Sequence, residues 1–386
     1  MEENLIAEKL ELAASKLDVE MTPVPRAIIS EKKDDRNACY YSNFCGSYGC
    51  FSGAKGSSRA ALINDAVETG NCKVLPNSKV VFLETNGNYK LKKAWYYDKS
   101  GKKLFIEAKV FIVACQAIES ARLLLISKNK EFPNGLANNS GQVGKNILFS
   151  GGGSGSGSIV FNDYSQKEAA QLKIPGLFVN RSVHNWYEVE DEETSEIIKG
   201  GIVDFLWEHA NPVTKAIKQK WDGDELVYGM DLKKKIKRYF TELRRLRFEI
   251  FTDWLPIDDC KVTLSTKTKD KWGDPVAKVR LGEHPHNNKI GKILGNKAVQ
   301  IMKELGAKDI NWGVGGNPPK NLQAGGCRFG EDPRYSVLDK FCKAHEVDNL
   351  YVTDGSFMPT GGSSTYTWTI YANSFRVADH LKEHLT

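Results

Sequence analysis

The sequence predicts an α/β fold in which one domain is assembled from distant segments and a second domain is inserted between them. The chain has 386 residues, more than one hydrophobic core usually serves. A continuous apolar run at residues 110–114, typical of a strand buried in a parallel sheet, leads directly into a helical pattern at residues 117–125. A similar run at residues 350–353 precedes a helix predicted at residues 371–385. Two strand–helix units so far apart indicate a discontinuous α/β domain.

The bulk properties are those of a soluble globular protein. Hydrophobic residues make up 41% and charged residues 26% of the chain, and the net charge is only +6. Neither a secretory signal nor an apolar stretch long enough to span a bilayer is present, and no motif indicates nucleic-acid binding. Eight cysteines in a chain of this length do not form a disulfide framework. We therefore expect a cytoplasmic protein, unless an N-terminal signal has been lost.

One dense basic run interrupts the otherwise scattered charge. It comprises Lys233, Lys234, Lys235, Lys237, Arg238, Arg244, Arg245 and Arg247. The simpler interpretation is a solvated helix face whose long basic stems cover an apolar stripe. The alternative is a surface that docks onto an acidic partner or a membrane.

Periodicity and turn residues predict the other elements of the N-terminal half. They are helices at residues 3–17 and 58–70, and strands at residues 79–84, 89–97 and 103–114. A tight turn is expected at residues 86–88, with the sequence Asn-Gly-Asn.

The composition also predicts where the inserted domain begins. Residues 151–158 contain only glycine and serine, which is typical of a flexible linker. We therefore assign residues 1–150 and 311–386 to the discontinuous α/β domain, and residues 151–310 to the inserted domain.

Three stretches carry a resemblance to a known family. The most extended lies between residues 325 and 379 and includes the strings Gly-Gly-Cys-Arg-Phe-Gly at 325–330 and Asp-Asn-Leu-Tyr-Val-Thr-Asp-Gly-Ser-Phe-Met-Pro at 348–359. The second is residues 111–124, with Gln116 where glycine is usual, and the third is the loop at residues 45–55. Together they resemble the glucose–methanol–choline (GMC) oxidoreductases, in particular the branch of the gluconate and fructose dehydrogenases.

The resemblance implies a FAD-binding Rossmann-like domain and an inserted substrate domain of antiparallel sheet and helices. Such enzymes oxidise a CH–OH group of a sugar or polyol, pass a hydride to flavin N5, and deliver electrons to an acceptor protein or quinone. Residue-by-residue transfer of the family pattern places the cofactor-binding positions at Val80, Ala114, Cys115, Asp354, Gly355, Tyr366 and Thr367.

The two positions that usually supply the catalytic base depart from the family pattern. Leu322 stands where histidine is expected, and Thr365 stands where histidine or asparagine is expected. Neither side chain is a general base at neutral pH. Three explanations remain open: His284 or His286 of the inserted domain serves as the base, the reaction needs no such base, or the chain is an inactive remnant or binding scaffold.

The glycine-rich fingerprint of a dinucleotide fold, Gly-x-Gly-x-x-Gly between a strand and a helix, is absent from the sequence. In the family this motif stands before the position of Met1. We therefore expect an N-terminally truncated chain, an upstream chain that supplies the missing segment, and poor FAD binding by this polypeptide alone.

A cysteine-rich loop at residues 39–56 contains Cys39, Cys45 and Cys50. Thiolates on a glycine-rich loop are ligands for iron–sulfur clusters, and some sugar dehydrogenases of the resembling branch hold such a cluster. The alternative is a redox-inert loop or a simple disulfide.

Overall fold

The structure is a computed structural model that describes residues 4–41, 49–149, 151–174, 181–191, 193–208, 211–282, 284–314 and 322–385. The helices of these residues are α1 (Leu5–Ser15), α2 (Asn64–Glu68), α3 (Ala117–Ile126), α4 (Gln166–Leu172), α5 (Pro212–Lys218), α6 (Gly229–Thr241), α7 (Pro285–Glu304) and α8 (Thr367–His384). A π-helical turn, Arg59–Ile63, precedes α2.

The strands are short apart from three long ones in the middle of the chain. They are β1 (Thr22–Pro23), β2 (Lys79–Thr85), β3 (Leu91–Tyr97), β4 (Lys103–Glu107), β5 (Phe111–Val113), β6 (Ile147–Leu148), β7 (Gly151–Val160), β8 (Arg181–Val183), β9 (Glu188–Glu190), β10 (Ile197–Lys199), β11 (Gly201–Trp207), β12 (Trp221–Asp222), β13 (Glu225–Leu226), β14 (Leu243–Thr252), β15 (Lys261–Lys269), β16 (Pro275–Arg280), β17 (Lys308–Gly313), β18 (Ala324–Gly325) and β19 (Leu350–Val352).

The largest sheet has six strands in the order β1-β8-β11-β14-β7-β17, and every neighbouring pair is antiparallel. One face of this sheet is covered by α1 and α7. Their buried residues, such as Leu10 and Leu294, join the inward residues Leu246, Phe248 and Ile250 of β14 in one hydrophobic cluster. The predicted inserted domain of antiparallel sheet and helices is therefore confirmed.

The prediction of a flexible linker at residues 151–158 is wrong, because this run forms most of β7, an interior strand between β14 and β17. Its glycines make room for large neighbours. A Cβ atom on Gly155 would lie 2.2 Å from the Phe248 ring and 2.6 Å from Trp312 Cβ. Composition alone indicates flexibility, whereas here the neighbouring aromatic side chains require glycine at the positions of β7 that face them.

The discontinuous α/β domain is built around a parallel pair. Residues of β5 and β19, about 240 positions apart in sequence, pair in parallel, with Tyr351 opposite Ile112. Helix α3 begins just after β5 and buries Ala121 and Leu124 in the same hydrophobic cluster as Val352. The α/β arrangement predicted from two distant strand–helix units is confirmed.

The hydrophobic residues form two clusters. The first gathers side chains from β2, β5, α3 and the C-terminal quarter, and the second surrounds the six-stranded sheet. The second cluster also takes in Ile6, Leu10 and Ala13 of α1. The predicted division at residues 150 and 310 stays a prediction.

Helix α6 contains the first part of the basic run, and none of its residues is buried. The arginines at the end of the run lie on β14 instead. Within the described residues, no helix combines the length and the apolar character that crossing a membrane requires.

We predict that Gly155→Ala lowers the free energy of unfolding by about 1–3 kcal/mol or more, because the added methyl group meets Phe248 and Trp312 in a packed core. Gly313→Ala, on the neighbouring strand β17, is the control, because nothing lies within 4 Å of the added Cβ. Urea unfolding of both variants measures the difference. Equal stability of the two variants would contradict the packing explanation.

Candidate active site

The carboxyl ends of β5 and β19 lie side by side and are locked together by hydrogen bonds. The Thr353 amide donates to the Val113 carbonyl over 3.1 Å. The Ser120 hydroxyl of α3 donates to a carboxylate oxygen of Asp354, and the Cys115 amide donates to the same hydroxyl over 3.0 Å. The structure therefore brings together Cys115 and Asp354, two of the predicted cofactor-binding residues.

Both oxygens of the Asp354 carboxylate accept hydrogen bonds from the protein itself. Its second oxygen accepts from the amide and the hydroxyl of Ser356, at 2.8 and 2.6 Å. Cys115 is exposed, but partial desolvation by the surrounding protein and the nearby negative charge of Asp354 raise the pKa of its thiol. The carboxylate thus fixes the shape of the strand end. The groups of this turn that remain available to a ligand are those of its backbone.

The backbone of this turn fits an oxygen-rich cofactor such as FAD. Asp354 and Gly355 are buried, and among the described residues their amide groups donate to no carbonyl or side chain. A Cβ atom on Gly355 would lie 3.1 Å from the Gln323 carbonyl oxygen and 3.2 Å from Ile370 Cδ1, so a side chain would crowd the turn. Adjacent amide donors at the carboxyl end of parallel strands are typical of nucleotide-binding sites.

Gln116 explains how a non-glycine residue stands where the family has glycine. Its φ of 75° lies in the left-handed region, where a side chain costs about 1 kcal/mol or more. The side chain compensates by accepting from the Ile118 amide over 3.1 Å, which caps α3. It also donates to Gln323 over 2.9 Å and so ties the end of β5 to the loop that carries Leu322.

Leu322 is half-buried, packs against the first hydrophobic cluster and has a φ of 51°. A leucine packed in this way cannot accept a proton, so the sequence interpretation of this position as lacking a base agrees with its surroundings. If the reaction uses a general base, that base comes from elsewhere in the fold.

The other predicted cofactor positions are spread over three elements. Val80 is half-buried on β2 and packs against the first cluster, and Ala114 is exposed directly after β5. Thr367 is exposed at the first position of α8. Tyr366, just before it, is buried with a hydroxyl that has no partner among the described residues. Their roles toward FAD stay predictions.

A buried carboxylate joins the six-stranded sheet to the C-terminal loop. Asp253 directly follows β14 and is only 1% exposed. It accepts from the Gly362 amide over 2.8 Å and from the Lys199 ammonium over 3.0 Å. The Gly361 amide donates to the Trp254 carbonyl over 3.0 Å. This Asp253 junction fixes the loop that carries Thr365 and Tyr366.

The same junction brings in the two histidines. His286, in the first turn of α7, donates from Nε2 to the Lys199 carbonyl over 3.1 Å, which leaves Nδ1 as the atom able to take a proton. His284 Nδ1 accepts from the His286 amide and caps the helix. Burial lowers the pKa of His286 and outweighs the hydrogen bond to the Lys199 carbonyl and the charge of Asp253, which act in the opposite direction. This shift favours the neutral imidazole.

Tyr366 faces the same carboxylate. Burial raises the pKa of its hydroxyl strongly, and the charge of Asp253 adds to this. Thr365, one residue earlier, is half-buried. Asp253 therefore lies near His286 and Tyr366, and the loop that it fixes also carries Thr365. The sequence analysis missed Asp253 although it directly follows an apolar strand.

A second buried carboxylate that was not identified from the sequence lies on the face of the six-stranded sheet opposite α7. Asp204 on β11 is buried, and its register partner on β14 is Glu249. Burial raises the pKa of Asp204, with Arg26 at 4.0 Å acting in the opposite direction. One of its carboxylate oxygens has no hydrogen-bond partner among the described residues. A carboxylate inside the apolar run of β11 was the signal available in the sequence.

The cysteine loop is described only in part, since Cys45 lies outside the described residues. Cys39 Sγ accepts from the Tyr41 amide, and Cys50 Sγ accepts from the Lys55 amide, both over 3.4 Å. Burial raises the pKa of Cys50, but hydrogen bonds from Ser52 and from backbone amides outweigh it and leave the pKa below its ordinary value. In the described ranges, no group of three or more metal-ligating side chains is assembled.

We predict that Asp253→Ala destabilises the fold by about 1–3 kcal/mol, because the Gly362 amide loses the buried carboxylate that holds its loop to the sheet. Lys199→Met removes only the exposed partner and costs about 0–1 kcal/mol. Urea unfolding gives both values, and hydrogen exchange at the Gly362 amide must accelerate in Asp253→Ala alone. A similar loss in both variants would show that the ion pair, rather than the amide bond, fixes the junction.

Comparison with known proteins gives the relatives of this chain. Among curated proteins, the large subunit of fructose dehydrogenase from Gluconobacter japonicus is 26% identical over 389 residues, covering 96% of this chain and 64% of that protein. Paromamine 6'-oxidase from Streptomyces fradiae is 27% identical over 375 residues, with the same two coverages. The chain thus spans 64% of the length of these relatives.

Solved structures share the fold. Pyridoxine 4-oxidase from Mesorbium loti matches with a TM-score of 0.62 at 14% identity, over 98% of this chain and 70% of that one. Formate oxidase from Aspergillus oryzae, a protein studied for the modification of its FAD, matches with a TM-score of 0.60 at 16% identity and the same coverages. Identity this low shows the fold alone.

The family assignment rests on two sequence models. The N-terminal model of the GMC oxidoreductase family matches residues 2–149, and the C-terminal model matches residues 256–374. Together the two matches cover more than half of the chain and include both strands of the parallel pair as well as the Asp354 turn. The chain belongs to the GMC oxidoreductase family, whose fold binds FAD.

Proposed function

We propose that this chain acts as a FAD-dependent dehydrogenase on a CH–OH group of a sugar or polyol. The observation that carries the proposal is the parallel pairing of β5 and β19, which sets the Asp354–Gly355 amides beside Cys115 in a turn that a side chain at Gly355 would crowd. Relatives named for fructose and for 2-methyl-1,2-propanediol support a hydroxyl-bearing substrate. The resemblance to the cysteine-loop branch favours a carrier protein or quinone as acceptor.

Each group around the Asp253 junction has a distinct role in this proposal. Bound FAD would supply the hydride acceptor for the carbinol carbon. His286 Nδ1 takes the hydroxyl proton, since the bond from Nε2 to the Lys199 carbonyl fixes its ring and its tautomer. The Thr365 hydroxyl orients the substrate oxygen. Asp253 holds the loop of Thr365 against the sheet through the Gly362 amide.

A second candidate function is a binding scaffold of the same fold that has lost its chemistry. Leu322, packed against the hydrophobic cluster where the family has its base, favours this alternative. The two are separated by adding a panel of sugars and polyols to the FAD-loaded chain without oxygen. Loss of the visible flavin absorbance with any of them supports the dehydrogenase, and retention with all of them supports the scaffold.

One face of the parallel pair is exposed, which suggests that a further segment packs against it. Ile112, in the middle of β5, is 54% exposed, although parallel strands are normally covered on both faces. We propose that an additional segment, upstream in the same protein or on a separate chain, covers this face and contributes the glycine-rich phosphate contacts. One of the relatives is named as a large subunit, which is compatible with assembly from several chains.

The iron and sulfide content of the protein tests whether the cysteine loop holds an iron–sulfur cluster. If Cys39, Cys45 and Cys50 hold an iron–sulfur cluster, protein purified without oxygen contains iron and acid-labile sulfide. Cys50→Ser then loses both, while Cys72→Ser, a change in a thiol outside this loop, keeps both. Iron analysis with electron paramagnetic resonance decides the matter. Absence of both elements from the unchanged protein rules the cluster out.

We predict that kcat rises with pH through a midpoint below about 6.5, the ordinary value for histidine. The base acts in its neutral form, and burial lowers the pKa of His286, so the ascending limb shifts to lower pH. His286→Gln keeps a donor for the Lys199 carbonyl but removes the titrating group, so kcat falls by about 100-fold or more and the limb disappears.

His284→Asn distinguishes the roles of the two histidines, because asparagine preserves the helix cap but has no group that titrates. The ascending limb persists in this variant if His286 is the base. Full activity and an unchanged pH profile in His286→Gln would assign the proton transfer to another residue.

A further inference from the structure

A cleft far from the Asp253 junction remains without a role. Its volume is 630 Å³, within the range of pockets that hold small molecules, and it lies between α5, α6, the β12–β13 hairpin and the start of β14. Six basic side chains line it: Lys215, Lys218, Lys235, Arg238, Arg245 and Arg247. Only three acidic ones, Glu208, Asp222 and Asp309, accompany them, so the lining carries three net positive charges.

Part of this positive charge is neutralised within the cleft. Glu208 accepts from Lys215 Nζ and from the Tyr239 hydroxyl, each over 2.7 Å. Lys235 lies 3.5 Å from Asp222. By contrast, Lys218 and Arg238 are exposed and have no acidic partner among the described residues. These two cations, on α5 and α6, are free to bind an anion.

The floor of the cleft presents a cation in a fixed position. Arg245 Nη2 donates to the Ser156 hydroxyl over 2.6 Å, and Nη1 donates to the Ser158 hydroxyl over 2.9 Å. The serines of the glycine-serine strand β7 thus orient a guanidinium on the neighbouring strand β14. A charge held in place before binding loses little side-chain entropy when a ligand arrives.

An aromatic group completes the lining. Trp221 on β12 is 47% exposed at the edge of the cleft. An exposed indole beside convergent cations suits a ligand that combines an organic body with a multiply charged anionic group. Guanidinium and ammonium donors together match phosphate oxygens, and a multiply charged phosphate matches the excess of positive charge.

We propose that this cleft is a binding site for a phosphorylated small molecule. The site is separate from the proposed oxidation site. Strand β14 lines the cleft from Leu243 to Arg247 and reaches the Asp253 junction six residues after Arg247, a separation of about 20 Å along an extended strand. The proposal therefore stands or falls independently of the dehydrogenase function.

Calorimetric titration of the full chain with inorganic pyrophosphate and with fructose 1,6-bisphosphate tests the site, in the absence of any alcohol substrate. Both probes are expected to bind saturably. The double variant Lys218→Gln/Arg238→Gln is expected to weaken both by at least about tenfold, because two charge-assisted contacts are lost. A change in tryptophan fluorescence that is absent in Trp221→Phe reports binding at the cleft itself, because the chain contains eight tryptophans.

The matched control is Lys233→Gln/Lys237→Gln, which removes the same charge from residues of α6 that do not line the cleft. The affinity of this control variant for pyrophosphate and for fructose 1,6-bisphosphate is expected to change by less than about twofold, through screened long-range electrostatics alone. All four positions are exposed, so both variants should fold. Absence of saturable binding to the unchanged protein overturns the proposal, and so does an equal loss of affinity in the two double variants.

Discussion

The structure depends on one long-range constraint, the parallel pairing of β5 with β19. These strands have three residues each, so the ladder alone is weak, and side chains reinforce it. Asn349 accepts from the Leu91 amide and donates to the Leu91 and Lys109 carbonyls. Ser120 binds Asp354 at the other end of the pair. The turn at Gly355 has its shape because both ends are held.

The Asp253 junction extends this constraint to the six-stranded sheet. A single buried carboxylate fixes the Gly362 amide, and the loop between Asp354 and Tyr366 is consequently held at both ends. Lys199 positions His286 at the same junction. Its carbonyl accepts from the His286 ring, and its ammonium group donates to Asp253. The loop that carries Thr365 and the helix that carries His286 are in this way positioned relative to one another by polar contacts at Asp253 and Lys199.

The sequence was informative where local periodicity decides the outcome. Helix α1, helix α3 and the buried strand at residues 350–352 were predicted to within a few residues. It was misleading at residues 151–158, because the reason for glycine there is the packing of Phe248 and Trp312, which are distant in the chain. Asp253 was missed for the same physical reason, since its contacts arise only when distant segments meet. The basic run was noticed in the sequence, but the cleft that part of it forms with Lys215 and Lys218 was not.

The central claim is that the ends of β5 and β19 form a wall of the FAD site, and exposure of the Cys115 thiol gives direct access to it. The measurement is the alkylation rate of each cysteine by mass spectrometry at rising FAD concentration, with Cys72 as the internal reference. The account predicts that FAD slows alkylation of Cys115 saturably and leaves Cys72 unchanged. A Cys115 rate that does not respond to FAD would contradict it.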